Sequence, residues 1–330
     1  MGPLPTMSLM RVGFAAALLS LTLPCAAAEG LTAPSYHVEG PDGPVLSSGA
    51  DTPRPPASTT KLMTALLAAE SLDPDRRLVV SARAASMPRT KADLRAGASY
   101  RVRDLLSVLL VGSANDAAVV LAEGVSGSEA AFARRMTEKA RVLGCTRTVF
   151  RNSNGLQQPG QVSTCRDLLR IYAAAYRNSM LANIMRSQTA CIIHPGGSRT
   201  LVRNHNKLLG DYPSAPVGKT GYTRAAKHCF VGTFVREGRE FRVACMGSEA
   251  LWDDLRALTS APLAARPAPA CPPARERAVR SALARLGYAP GKTLKSALVR
   301  FQREHHLLAD GELRDGTLNS LARISGMKLN

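Results

Sequence analysis

The sequence predicts an α+β fold in which strands from both ends of the main unit share one antiparallel sheet and helices fill the middle. Three observations carry this prediction. Apolar residues recur at helical spacing through 58–72, 103–124, 127–143 and 164–178. Strand signals lie at 35–40, 228–236 and 240–247, on either side of that helical block. Glu237-Gly238 separates the last two strands and suits a hairpin turn.

The bulk properties fit such a fold. The chain has 330 residues, room for one large unit and a small one, and 45% of them are hydrophobic. The formal net charge is +18; residues 1–28 hold Arg11 and no acid, so removing them leaves +17. A charge of this size favours anionic lipid, anionic wall polymers or nucleic acid. Aromatic residues make up only 5%, and neither an extended basic run nor a nucleic-acid motif is present, so no nucleic-acid partner is expected.

The N-terminus reads as an export signal. Arg11 precedes an apolar stretch from Val12 to Leu23, Pro24 breaks it, and Cys25-Ala26-Ala27-Ala28-Glu29 follows. A basic residue, a short apolar core and an Ala-x-Ala site make a secretory signal peptide over 1–28, cut after Ala28. The core is too short to cross a bilayer as a stable helix. Cys25 after Pro24 fits a lipidation box poorly. No second long apolar run follows, so the mature chain is expected to be exported and to lack a stable membrane span.

Six cysteines remain after cleavage: Cys145, Cys165, Cys191, Cys229, Cys245 and Cys271. An even count in an exported chain permits disulfides, and the pattern is equally open to buried thiols. None stands in a Cys-x-x-Cys or Cys/His metal spacing, so no metal site is expected.

The main unit is expected over 29–260. Ala261 to Pro273 is rich in Pro and Ala and reads as a stiff linker. Residues 274–330 carry their own apolar periodicity (Val279, Leu283, Leu286; Leu294, Leu298, Phe301; Leu318, Leu321), which predicts three short helices.

Three short motifs carry chemistry. Ser58-Thr59-Thr60-Lys61 follows Pro55-Pro56-Ala57 and opens an apolar helical run. Residues at i and i+3 share a helix face, so the Lys61 amine can reach the Ser58 hydroxyl. A serine hydroxyl needs a base to become a nucleophile, and a lysine neutralised by burial is such a base. The helix N-terminus favours the developing anion. Ser113-Ala114-Asn115 interrupts two helical runs and puts a hydroxyl and a carboxamide on a loop. Lys219-Thr220-Gly221-Tyr222 leads into strand-like sequence. On an edge strand Lys219 would project a cation into a cleft, Thr220 would point outward from it, and Gly221 would let a substrate backbone lie close. Each motif alone also fits an ordinary cap, turn or basic loop.

Together and in this order, the three motifs resemble the set of penicillin-binding proteins and serine β-lactamases. Phe150 to Leu156 and Ser163 to Leu168 look like the Phe-x-Asn-x-x-Gly-Leu and Ser-Thr-x-x-Asp-Leu segments of D-alanyl-D-alanine carboxypeptidases. Asn204 to Leu209 resembles the segment before their Lys-Thr-Gly strand. The resemblance covers most of 32–250 and implies a β-lactamase/transpeptidase-like fold, an antiparallel sheet with a helical cluster. It implies a serine-type carboxypeptidase acting on peptidoglycan stem peptides in the periplasm or cell wall, with no cofactor. Ser58 would attack the carbonyl between two terminal D-alanines and Lys61 would accept its proton. Ser113 would relay a proton to the leaving D-Ala, and Asn115 would bind substrate backbone and steady Lys61. Lys219 and Thr220 would hold the terminal carboxylate, and the backbone N–H groups of Ser58 and Tyr222 would bind the oxyanion. β-Lactams would acylate Ser58. Lys227 stands where this family usually has Gly, and His205 where relatives often carry an Arg that helps bind the carboxylate, so substrate preference is expected to differ.

Three alternatives stay open. DD-endopeptidase activity would use the same residues. A β-lactamase of class A takes a deacylating Glu from between the second and third motifs, and no Glu-x-x-x-Asn element stands there. A non-catalytic wall-binding protein conflicts with the intact motif set. Residues 274–330 resemble a three-helix peptidoglycan-binding module through Val279-Arg280, Leu286-Gly287-Tyr288, Phe301-Gln302 and Asp310-Gly311-Glu312-Leu313. Gly291-Lys292-Thr293-Leu294 replaces its middle Asp-Gly-x-Phe-Gly element.

Overall fold

A computed structural model of the chain describes Gly2, residues 30–211, 215–260, 273–288, 293–305, Leu313 and 315–327. The expected signal peptide, the linker up to Pro272, Cys271, Gly291-Lys292 and Asp310 to Glu312 lie outside the described residues.

Two strands open the fold, β1 (Ser35–Gly40) and β2 (Gly43–Ser48). A 3-10 turn, Ala57–Thr60, leads into α1 (Lys61–Ser71). Then follow β3 (Arg77–Val79), α2 (Ala82–Ala85) and β4 (Ser99–Arg101). The central helices are α3 (Val102–Val111), α4 (Asn115–Ser126), α5 (Glu129–Val142), α6 (Cys165–Tyr176) and α7 (Ser179–Arg186). A ribbon of β5 (Thr189–Ile193) and β6 (Arg199–Arg203) precedes β7 (Val217–Thr223), β8 (Lys227–Arg236), β9 (Arg239–Ser248) and α8 (Leu251–Ser260). Helices α9 (Pro273–Arg285), α10 (Leu294–Glu304) and α11 (Asp315–Ser325) complete the chain.

The main sheet has the order β2-β1-β9-β8-β7, with every pairing antiparallel. First and last strands of the unit share this sheet, as the sequence predicts, and β1 pairs directly with β9. The β8–β9 turn places Glu237 and Gly238 at φ 49° and 69°, the left-handed geometry that matches a hairpin's twist. Alternate residues face opposite layers. Cys229, Val231, Ala244 and Met246 pack on the helical cluster, while Phe230, Phe234, Val243 and Cys245 pack with Leu251, Leu255 and Leu258 of α8. The sheet is thus covered on both faces. Helix α1 is buried from Lys61 through Ala68, which explains its apolar run on every side.

The helical stretch over 103–124 is two helices, interrupted at Gly112-Ser113-Ala114 as the sequence predicts. Strands β2, β5 and β6, the short β3–β4 ribbon and helices α2, α7 and α8 were not expected. The five described cysteines are free thiols; four are buried and Cys191 is exposed. Helices α9 to α11 enclose a core of Val279, Leu283, Leu298, Phe301 and Leu321. No helix among the described residues is long and apolar enough to cross a membrane.

Candidate active site

Ser58 lies in the 3-10 turn and is partly open to solvent. Prolines 55 and 56 bring the chain in, and Ala57 takes a left-handed φ of 48°. Thr59 closes the turn by donating from N (3.3 Å) and Oγ1 (2.6 Å) to the Pro56 carbonyl. Such a conformation is costly for a residue with a side chain and persists where the surroundings hold it. Here it delivers Ser58 to the N-terminal end of α1, one turn before Lys61.

The Lys61 amine is fully buried and meets three oxygens: Ser58 Oγ at 3.0 Å, Asn115 Oδ1 at 2.8 Å and the Asn154 carbonyl at 2.5 Å. Burial, then the nearby Lys219 ammonium, push this amine well below the ordinary lysine range; Asp116 pulls the other way. When neutral, the amine has two N–H bonds for the two carbonyl oxygens, and its lone pair is left for the Ser58 hydroxyl.

Each carbonyl is held from behind. Asn115 opens α4, donates from its backbone N to Thr90 O (2.8 Å) and from Nδ2 to Pro88 O (2.9 Å), and so aims Oδ1 at Lys61. Asp116 ties the same loop to α4 by accepting from the Ala92 and Leu94 amides. Asn154 sits in a loop clamped by the buried Glu129 carboxylate. That carboxylate accepts from Ser153 N (3.1 Å), Ser153 Oγ (2.7 Å) and Asn154 Nδ2 (3.2 Å), and it also pairs with Arg83. Thr64 on α1 donates to Ser153 O at 2.6 Å. Gly155 takes φ 85° and lies on the Ala57–Thr60 turn so closely that a Cβ there would stand 1.9 Å from Ala57 O.

The third motif lies on β7, the sheet's edge strand, as expected. Lys219 is buried, donates to Thr220 O at 3.1 Å, and has its amine pushed down by burial to about 7. Gly221 faces Ser58; a Cβ on it would stand 2.8 Å from Ser58 N. Thr220 is half-buried on the alternate face, and Tyr222 is exposed with its ring 4.6 Å from that of His228. Lys227 adopts φ 55°, a left-handed conformation that favours glycine, and its amine pairs with Glu249 at 3.1 Å. His205 is exposed at the rim. Partial burial first, and then Lys219 and Lys61, hold its imidazole below the ordinary histidine range, so it adds no positive charge at neutral pH.

Ser113 is buried at φ 57° and its carbonyl accepts from Thr90 Oγ1 at 2.9 Å. Its hydroxyl makes no hydrogen bond to Ser58 or Lys61. The structure therefore joins Ser58, Lys61 and Asn115 directly, sets Gly221 against them and Lys219 within electrostatic reach, and brings Ser113, Thr220 and Tyr222 only to the surrounding walls. Asn154 and Glu129 were not singled out from sequence. A backbone carbonyl has no residue-type signature, and only the Asn152-to-Leu156 stretch hinted at the loop.

Such a site suits acyl transfer: a hydroxyl beside a neutralised amine, helix N–H groups beside it, and a cation on the adjoining strand. Comparison with known proteins agrees. Residues 28–250 match the model of the family described as D-alanyl-D-alanine carboxypeptidase. A D-alanyl-D-alanine carboxypeptidase of Mycobacterium tuberculosis is 36% identical over 247 residues, covering 68% of this chain and 84% of that protein. A D-alanyl-D-alanine endopeptidase of Escherichia coli is 32% identical over 191 residues, covering 57% of this chain and 61% of that protein. The crystal structure of a D-alanyl-D-alanine carboxypeptidase from Mycobacterium tuberculosis superposes with a TM-score of 0.65 at 33% identity, covering 69% of this chain and 89% of that one. That of a Streptomyces DD-transpeptidase gives 0.64 at 26%, covering 69% and 95%. The family match begins before β1 and ends beyond β9, so it takes in every residue of the cleft just described, and the chain belongs to the D-alanyl-D-alanine carboxypeptidase family of serine peptidases.

Proposed function

We propose that the protein removes the terminal D-Ala from peptidoglycan stem pentapeptides through an acyl-enzyme on Ser58. The coordination of Lys61 carries this reading: two fixed carbonyl oxygens occupy its N–H bonds and direct its lone pair to Ser58 Oγ. Ser58 Oγ attacks the carbonyl carbon of the D-Ala-D-Ala bond while its proton passes to Lys61 Nζ. The oxyanion takes the N–H groups of Ser58 and Tyr222. Collapse breaks the C–N bond, and the departing amine takes a proton through Ser113. Water then attacks the ester and returns the proton to Ser58. Lys219 and Thr220 hold the substrate's terminal carboxylate, Asn115 holds its backbone, and Gly221 leaves room for it.

β-Lactams enter the same path and stop at the acyl-enzyme. The site of action is outside the cytoplasmic membrane, in the periplasm or wall, with residues 1–28 as the export signal. Helices α9 to α11 serve as a wall tether. Relatives named endopeptidase favour cross-link cleavage as a second activity of the same residues.

D-Ala release from a stem pentapeptide, compared with cleavage of a cross-linked dimer and of penicillin, tests the assignment. Pentapeptide turnover should dominate and disappear in Ser58→Ala. Faster penicillin hydrolysis would make the protein a lactamase instead.

A further inference from the structure

The β5–β6 ribbon is amphipathic in a way the reaction does not use. Its inner face is committed to the protein. Ile192 is buried, Val202 packs so tightly on Gly112 that a Cβ there would meet it at 2.6 Å, and His194 bridges Tyr100 OH (2.9 Å) and Thr200 Oγ1 (2.8 Å). Arg95 pins the ribbon's tip through Pro195 O and Ser198 Oγ. The ribbon is therefore a fixed platform.

Its outer face is apolar in the centre and basic at the edge. Ile193 and Leu201 are 60% and 62% exposed, and Leu201 pairs directly with exposed Cys191. Ile193 pairs with Arg199, and Thr189 with Arg203, so each arginine flanks the apolar centre. Residues 168–210 contain no Asp or Glu, while Arg170, Arg177, Arg186, Arg199, Arg203 and Lys207 fall within them. Exposed branched aliphatics ringed by arginines match a surface with acyl chains below anionic headgroups. An anionic sugar polymer offers nothing for Ile193 and Leu201. A second copy docked on the same face would set Arg199 and Arg203 of both chains together with no acid on that segment to offset them.

We propose that the outer face of the β5–β6 ribbon docks on an anionic lipid bilayer, with Ile193 and Leu201 entering the interface and Arg199 and Arg203 meeting phosphate headgroups. The test is co-sedimentation of the mature full-length chain with phosphatidylglycerol-containing vesicles and with pure phosphatidylcholine vesicles. Binding is expected to the first only and to weaken with salt. Ile193→Asp/Leu201→Asp should weaken it at least roughly tenfold, and Arg199→Gln/Arg203→Gln roughly fivefold for each arginine. Melting temperature and the rate of acylation by penicillin, which report folding and the cleft, should stay at wild-type values. Absence of wild-type binding to the anionic vesicles would overturn the proposal. So would equal binding by the folded Asp double variant, or a concentration-dependent dimer that the Asp substitutions abolish.

Discussion

The carbonyl oxygen of Asn154 lies 2.5 Å from the amine of Lys61, a residue 93 positions earlier in the chain. With Asn115 Oδ1 it completes the cage that orients the amine toward Ser58. The Lys61 amine is thus positioned by a loop outside the three motifs and by the helix start that carries the second of them, and the cage is only as firm as the groups behind it.

Glu129 stands behind Asn154. Glu129→Ala would strand the Ser153 and Asn154 donors that its carboxylate now accepts. Unpaired buried donors cost about 1–3 kcal/mol each, so a stability loss of about 3 kcal/mol is expected from chemical denaturation. The rate of penicillin acylation should fall with it, whereas Glu138→Ala, on the exposed face of α5, should change neither.

Asn115→Asp tests the electrostatics of the base. A carboxylate within hydrogen-bond reach favours the charged amine and would raise the Lys61 pKa. The proposed base is the neutral amine, so the rate at pH 7 should drop. Activity should return as pH rises, because the ascending limb of the pH–rate profile moves to higher pH. A loss of equal size at every pH would contradict this account.

Lys219 costs stability through the burial of its amine. Its folded-state amine is held at about 7 against 10.5 in the unfolded chain, so unfolding takes up a proton within that window. Stability from this group therefore rises with pH between those values, and the penalty for burying the amine is fullest below them. Lys219→Met should raise stability at pH 7 by on the order of a few kcal/mol, with the advantage shrinking towards pH 10. Pentapeptide KM should rise in the same variant. Thermal unfolding across pH checks the first point and steady-state kinetics the second.

Gly155→Ala combines a left-handed φ with a Cβ 1.9 Å from Ala57 O. Gly97→Ala has a similar φ, 78°, and meets nothing within 4 Å. The first should cost about 3 kcal/mol or more through displaced backbone, the second about 1–2 kcal/mol. Only the first should also slow labelling of Ser58.

Much of this site is legible in the sequence because its parts are side chains at local spacing. Ser58 and Lys61 share a helix face, and Lys219 and Gly221 share one side of a strand. That β1 and β9 share one sheet follows from where the strand signals fall. Other parts depend on distant chain crossings. Asn154 acts through a carbonyl that any residue carries, and Glu129 acts through what the fold brings to it. Strand β2 is short and contains Pro44, and β3 and β4 have three residues each, too few for a period to emerge. Helix α8 has Leu251, Leu255 and Leu258 at helical spacing, but ten residues beside a proline-rich stretch give a weak signal. Lys227 is legible as a departure from the family's glycine, and the backbone there takes φ 55°.

The most direct test is covalent labelling with a fluorescent penicillin followed by mass mapping of the labelled peptide. The account predicts one label per chain, on Ser58, lost in Ser58→Ala and slowed by orders of magnitude in Lys61→Arg, whose guanidinium stays protonated. An unlabelled wild type at saturating drug, or a label that survives Ser58→Ala, would contradict it.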